Sequence, residues 1–167
     1  MQEMVIYGVS FDLVGKQPIV LLRTAEGNKY LPIWIGHPEA AAILMKLQNA
    51  TTPRPLTHDL VDDMLSQLGA HVVRVTVTEL RENTFYAQIT LAQDGTEVEV
   101  DSRPSDAIAL AIRAEAPIFA ADQVIEESAI EFEGEGVENS EEMIDEFKKF
   151  LDNVSPDEFA VADEDDD

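Results

Sequence analysis

Cysteine is absent from these 167 residues, which excludes a disulfide framework and any thiolate metal centre. Basic residues are scarce: 11 lysines and arginines stand against 34 aspartates and glutamates, a formal net charge of −23. Such a chain repels nucleic acid at long range, and no basic stripe interleaved with aromatics offsets that. The 3 histidines, His37, His58 and His71, are too scattered to form a zinc motif. Gly-rich phosphate loops, nucleophile elbows and dinucleotide fingerprints are missing. No apolar run approaches membrane-spanning length, and Met1-Gln2-Glu3-Met4 has no basic n-region of a secretory signal. A cytoplasmic protein with no membrane partner is expected.

What is present suits a globular fold. The hydrophobic fraction is 45%, and the length allows one domain with an appendage and a real core. Acidity is uneven: residues 1–120 hold 15 acids and 9 bases, whereas 121–167 hold 19 acids and 2 bases. The end, Asp163-Glu164-Asp165-Asp166-Asp167, reads as a solvated, disordered tail.

Strand signals fall into two sets of three, over 4–13, 18–25 and 29–35, then over 72–80, 84–92 and 96–101. Glu26-Gly27-Asn28 and Asp94-Gly95 supply the hairpin turns. A helix follows each set, one from Pro38 to about Leu47 and one from Pro104 to about Glu115. The sets superpose at an offset of 66–68 positions, which predicts a duplicated β-β-β-α unit. The expected class is α+β. The two meanders pair through their edges into one strongly bent mixed sheet or partial barrel, packed by helices. A further helix over 57–68 carries Leu60, Val61, Met64, Leu65 and Leu68 on one face and ends at Gly69.

Beyond Ala120 the chain turns acidic. Asn139 and Glu142 form a helix-start signal, and Met143, Ile144, Phe147, Phe150, Leu151 and Val154 follow at helical spacing. This C-terminal amphipathic helix is expected to dock on its own domain, with a neighbouring subunit as the alternative. The predicted divisions are a domain over 1–135, the helix over 136–155 and an acidic tail over 156–167.

Two segments share a local design: Arg54-Pro55-Leu56-Thr57-His58-Asp59-Leu60 and Arg103-Pro104-Ser105-Asp106-Ala107-Ile108. Each sets arginine before proline, then a hydroxyl residue and an aspartate, at the start of helix-forming sequence. Proline suits a first turn, and free amides at a helix start attract anions. Capping without chemistry explains either segment alone. Together they nominate Arg54, Arg103, Thr57 and Ser105 as phosphate-binding residues, and His58, Asp59 and Asp106 as catalytic ones. Asp59, Asp62 and Asp63 share a helix face. Asp59, Asp62 and Asp106 are therefore the metal candidates, for Mg²⁺ or Mn²⁺; the same face reads equally well as the solvated side of the helix. Glu39 and Asp101 are further carboxylate candidates, and His37 opens the first helix. The two segments do not occupy equivalent places in the repeat, because Pro104 matches Pro38.

Three ordered blocks carry a family resemblance: Pro32-Ile33-Trp34-Ile35-Gly36 with Glu39-Ala40, the Arg54–Leu60 segment, and Asp101-Ser102-Arg103-Pro104-Ser105-Asp106-Ala107-Ile108-Ala109-Leu110-Ala111. They resemble the bifunctional nuclease family over about residues 3–131. The resemblance implies a duplicated β-β-β-α plan, a homo-oligomer, and nuclease activity of low sequence specificity on DNA and RNA, with divalent-metal assistance as an option. The alternative expectation is a non-catalytic oligomeric module that binds a small anionic ligand or a protein partner. In a third, the Arg-Pro segments only brace the fold.

Overall fold

The computed structural model describes residues 1–11 and 16–131. Along the chain run β1 (Gln2–Phe11), β2 (Pro18–Thr24), β3 (Lys29–Trp34), α1 (His37–Leu47), α2 (Thr57–Gln67), β4 (Ala70–Arg81), β5 (Thr84–Gln93) and β6 (Thr96–Ser102). They are followed by α3 (Pro104–Ala114), β7 (Ile118–Ala120), α4 (Asp122–Ser128) and β8 (Ile130–Glu131). The predicted C-terminal helix and acidic tail lie outside the described residues.

Both strand triplets are antiparallel meanders, as their turn chemistry demands. Asp94 (φ 50) and Gly95 (φ 78) are both left-handed between β5 and β6, the backbone a two-residue hairpin needs. Glu82 (φ 50) and Asn83 (φ 61) do the same between β4 and β5. In the β2–β3 turn, Thr24 Oγ1 accepts the Lys29 amide at 3.3 Å.

The meanders do not meet edge to edge, which corrects the sequence expectation. The eight strands run in the order β6-β5-β4-β7-β1-β2-β3-β8, with the short Ile118-Phe119-Ala120 strand inserted between the halves. It pairs antiparallel with β1 and parallel with β4. It thereby satisfies the backbone groups that both inner strands would otherwise expose. The sheet stays open but bends strongly: α4 touches both β3 and β4, which stand four places apart.

The helices fill the concave side. Ala40 and Ile43 of α1, Ala107–Ala111 of α3, and Val124 and Ile125 of α4 join Val20, Leu22, Leu31, Ile33, Val75, Val77 and Phe85 in one buried cluster. The small residues Ala107, Ala109 and Ala111 let α3 approach its neighbours closely, and Ile108 and Leu110 fill the space between (0% and 3% exposed). Burying such aliphatic side chains contributes about 1.5–3 kcal/mol each. The α2 helix is different: it buries no residue completely. Leu65 packs against the core, while Leu60, Val61, Met64 and Leu68 are exposed. No helix among the described residues is long and apolar enough to cross a membrane.

Candidate active site

Three helix starts share one piece of chemistry. Counting from the first helical residue, Glu39, Asp59 and Asp106 each occupy the third position of α1, α2 and α3. A carboxylate there faces the positive end of the helix dipole. Gly36 and Leu56 precede α1 and α2, and neither offers a side-chain cap. At α2 the Asp59 Oδ2 reaches back and accepts the Leu56 amide at 2.9 Å. At α1, Gly36 leaves open the space over which the Glu39 carboxylate lies, and a Cβ there would collide with Glu39 Oε2.

Two arginines tie these carboxylates together. Arg103, which precedes α3, donates to Asp106 Oδ2 at 2.7 Å and to Glu39 Oε1 at 2.7 Å. It links the starts of α3 and α1 while its side chain remains 62% exposed. Burial works against its charge, but the hydrogen bonds to Asp106 and Glu39 outweigh that and hold the guanidinium firmly protonated. On its other oxygen, Asp106 Oδ1 faces His58 Nε2 at 2.9 Å. The His58 side chain is 13% exposed. A continuous chain thus runs from His58 through Asp106 and Arg103 to Glu39.

The second arginine lies beneath. Arg113, in the last turn of α3 and 5% exposed, donates to Asp59 Oδ1 at 2.7 Å. It also donates to the Ala109 carbonyl at 2.8 Å and the Ala42 carbonyl at 3.1 Å. One planar fork therefore bridges α1, α2 and α3. The Asp59 carboxyl is held below its ordinary range by the Leu56 amide first. Partial burial opposes this, and the Arg113 bond reinforces it.

Of the residues nominated from sequence, His58, Asp106 and Arg103 meet in one network. Asp59 is adjacent in sequence but belongs to the Arg113 arrangement. Thr57 is exposed at the start of α2, and Asp62 is partly exposed one turn further on. Arg54 is exposed and makes no ion pair with the described residues. Ser105 is buried (6% exposed) within the packing of α3. Glu39, a secondary candidate from sequence, joins the network fully. Arg113 was missed, although it stands seven residues, two helical turns, after Asp106 in an otherwise apolar stretch. Such a spacing puts both on one face of α3.

The metal question turns on the donor set. Both Asp106 oxygens are engaged, by His58 and Arg103, and both Asp59 oxygens by Arg113 and the Leu56 amide. Among the described residues no group of three or more His, Asp or Glu side chains could hold a metal ion. As arranged, Asp59, Asp62 and Asp106 do not form a donor set for a divalent cation.

Comparison with known proteins adds to this geometry. The family model described as the bifunctional nuclease domain matches residues 20–133. An uncharacterized protein of Mycobacterium tuberculosis is 40% identical over 167 residues, which is 97% of this chain and 100% of that protein. Bifunctional nuclease 1 of Oryza sativa subsp. japonica is 33% identical over 110 residues, 64% of this chain and 33% of the plant protein. Bifunctional nuclease 1 of Arabidopsis thaliana is 30% identical over 105 residues, 60% and 32% respectively. The chain thus spans about a third of the length of the plant relatives.

Proposed function

Because this chain belongs to the bifunctional nuclease domain family, we propose that it hydrolyses phosphodiester bonds in DNA and RNA at the His58–Asp106–Arg103 network. One observation carries the reading: an exposed arginine stands beside a histidine–aspartate pair, Arg103 and His58 being joined through opposite oxygens of Asp106. Phosphodiester hydrolysis needs a proton taken from water and charge stabilised on a pentavalent phosphate. With its Nε2–H donated to Asp106, His58 carries the lone pair on Nδ1 and accepts that proton there. Asp106 fixes the ring and stabilises the imidazolium as it forms. The water oxygen bonds to phosphorus as the P–O ester bond breaks. The departing oxygen takes a proton from solvent, and His58 gives its own back to solvent. Arg103 clamps a non-bridging phosphate oxygen in the charge-assisted way guanidinium favours. Thr57 and Arg54, both exposed at the start of α2, extend the contact to a neighbouring phosphate. Asp59 acts at one remove by holding that helix against Arg113.

A second reading keeps the site and drops the chemistry. Arg103 already faces two carboxylates at 2.7 Å through Nε and Nη2, so an incoming phosphate bonds to the remaining N–H donors of its fork. A small anionic ligand could do this without cleavage. The deciding experiment incubates the purified protein with DNA and RNA, in Mg²⁺, in Mn²⁺ and in EDTA. The nuclease reading expects cleavage of both polymers that falls with Arg103→Ala. Stabilisation by inorganic phosphate without cleavage under any condition favours the second reading. Cleavage unchanged in the variant points to a contaminant and defeats the first.

A further inference from the structure

The sheet carries a second apolar layer on the face turned away from the helices. Strand alternation separates it from the core: Val20, Leu22, Leu31 and Ile33 belong to the helix-side cluster, whereas Ile19, Leu21, Tyr30 and Trp34 do not. Register gathers the latter into one patch, with Ile19 opposite Trp34, Leu21 opposite Pro32, and Arg23 opposite Tyr30. The patch is deeply buried: Ile19 is 0% exposed, Leu21 4%, and Tyr30 and Trp34 5% each. It stands apart from the cluster that α1, α3 and α4 join. The corresponding face of the second meander is built otherwise. There β4 and β5 present Arg74, Thr76 and Gln88, polar and partly exposed.

We propose that residues 140–154, which lie outside the described part of the chain, are the cover: this segment docks its Met143, Ile144, Phe147, Phe150, Leu151 and Val154 stripe on the outer face of β2 and β3, beside Tyr7 of β1, which packs edge-on against Tyr30. The exit point favours it. The described chain ends in β8, whose Ile130 and Glu131 pair with Tyr30 and Lys29 of β3, at the rim of the patch. The eight residues that follow reach up to about 26 Å when extended, more than the width of three strands. Dimensions agree as well: a 15-residue helix is about 22 Å long and about 10 Å across, and three strands at about 4.8 Å spacing present a face about 10 Å wide. Charge agrees, because Arg23 lies in the patch and Glu142, Asp145 and Glu146 alternate with the apolar stripe.

Other covers fit less well. The 12–17 connection joins Phe11 and Pro18, which pair directly, at one end of the strands. Tyr30 lies opposite Arg23, four residues or about 13 Å along β2 from Ile19. A second copy of the chain would find only a few side chains here, against the about 800 Å² per partner of a stable interface. A tethered segment needs no such area, since its effective concentration is already in the millimolar range.

Trp34 is the chain's 1 tryptophan, so its fluorescence reports on this face alone. In the full chain its emission is blue-shifted and shielded from acrylamide. In Phe147→Glu/Phe150→Glu the emission shifts to the red and the quenching constant rises several-fold, while far-UV circular dichroism keeps its strand signal. Unchanged shielding overturns the proposal. Should that variant misfold, a nitroxide on Lys149→Cys, off the apolar stripe in a chain without cysteine, gives a second reading. Quenching of Trp34 that persists on dilution supports the proposal. Its absence, or quenching lost on dilution as a second copy dissociates, overturns it.

Discussion

His58 Nε2 lies 2.9 Å from Asp106 Oδ1, although 48 residues separate the two in the chain. The contact exists because the start of α2 is laid against the start of α3, and it joins the two Arg-Pro segments that sequence alone only placed in parallel. Replacing Asp106 with Asn keeps a hydrogen-bonding side chain but removes the charge that balances a protonated His58 and Arg103. Phosphodiesterase activity should fall by about 10²–10⁴-fold, the usual worth of a positioned acid–base group. Steady-state cleavage rates on a fluorogenic oligonucleotide check this.

Arg113 should matter more to stability than any exposed charge. Arg113→Ala leaves the Ala42 and Ala109 carbonyls and Asp59 without their shared donor. Removing one member of a buried pair costs about 3–5 kcal/mol. The lower end is expected here, because the Asp59 side chain is 35% exposed and regains water. Arg113→Lys should recover only part of the loss, since an ammonium cannot span three acceptors in a plane. Urea midpoints for the three proteins measure both effects.

The depressed Asp59 carboxyl makes a pH prediction whose sign is fixed. A carboxylate with a lower pKa folded than unfolded adds stability that is complete above its unfolded value, about 3.9. That stability disappears as pH falls through the lower folded value. Asp59→Asn should therefore destabilise the protein at pH 7 and flatten its loss of stability below about pH 4. A variant whose stability still falls as steeply as the parent's over that acid range would refute the assignment.

Ile108 of α3 sits at 0% exposure in the buried cluster where α3 meets α1 and the sheet. Ile108→Ala should cost about 2–5 kcal/mol through lost burial and a residual cavity. Val98, 50% exposed on the edge strand β6, should tolerate Val98→Thr within about 0.5 kcal/mol. Thermal unfolding of the pair tests whether the core is where the cluster places it.

Much of this architecture was legible in the sequence. Asp94-Gly95 marks its hairpin because both positions need positive φ, and Pro104 marks the start of α3 because it lacks an amide the first turn would leave unpaired. The strand 118–120 was not legible: three residues carry too little periodicity, and their pairing depends on two distant edges. The apolar stripe of α2 misleads in a different way. Periodicity identifies a face but not what meets it, so Leu60, Met64 and Leu68 share an apolar face and yet stand exposed. At the site, helix-start grammar nominated His58, Asp106 and Arg103 one by one, and the fold joins them in one network. It could not show that Asp59 turns instead to Arg113, because an arginine inside an apolar helix declares its partners only once three helices have packed around it.

The central claim is that the His58–Asp106 pair and Arg103 form one hydrolytic site. The most direct measurement is the cleavage rate of His58→Ala, with its folded state confirmed by an unfolding midpoint near that of the parent. The account predicts a loss of at least about 10²-fold on both DNA and RNA. A folded His58→Ala protein that cleaves as fast as the parent contradicts it.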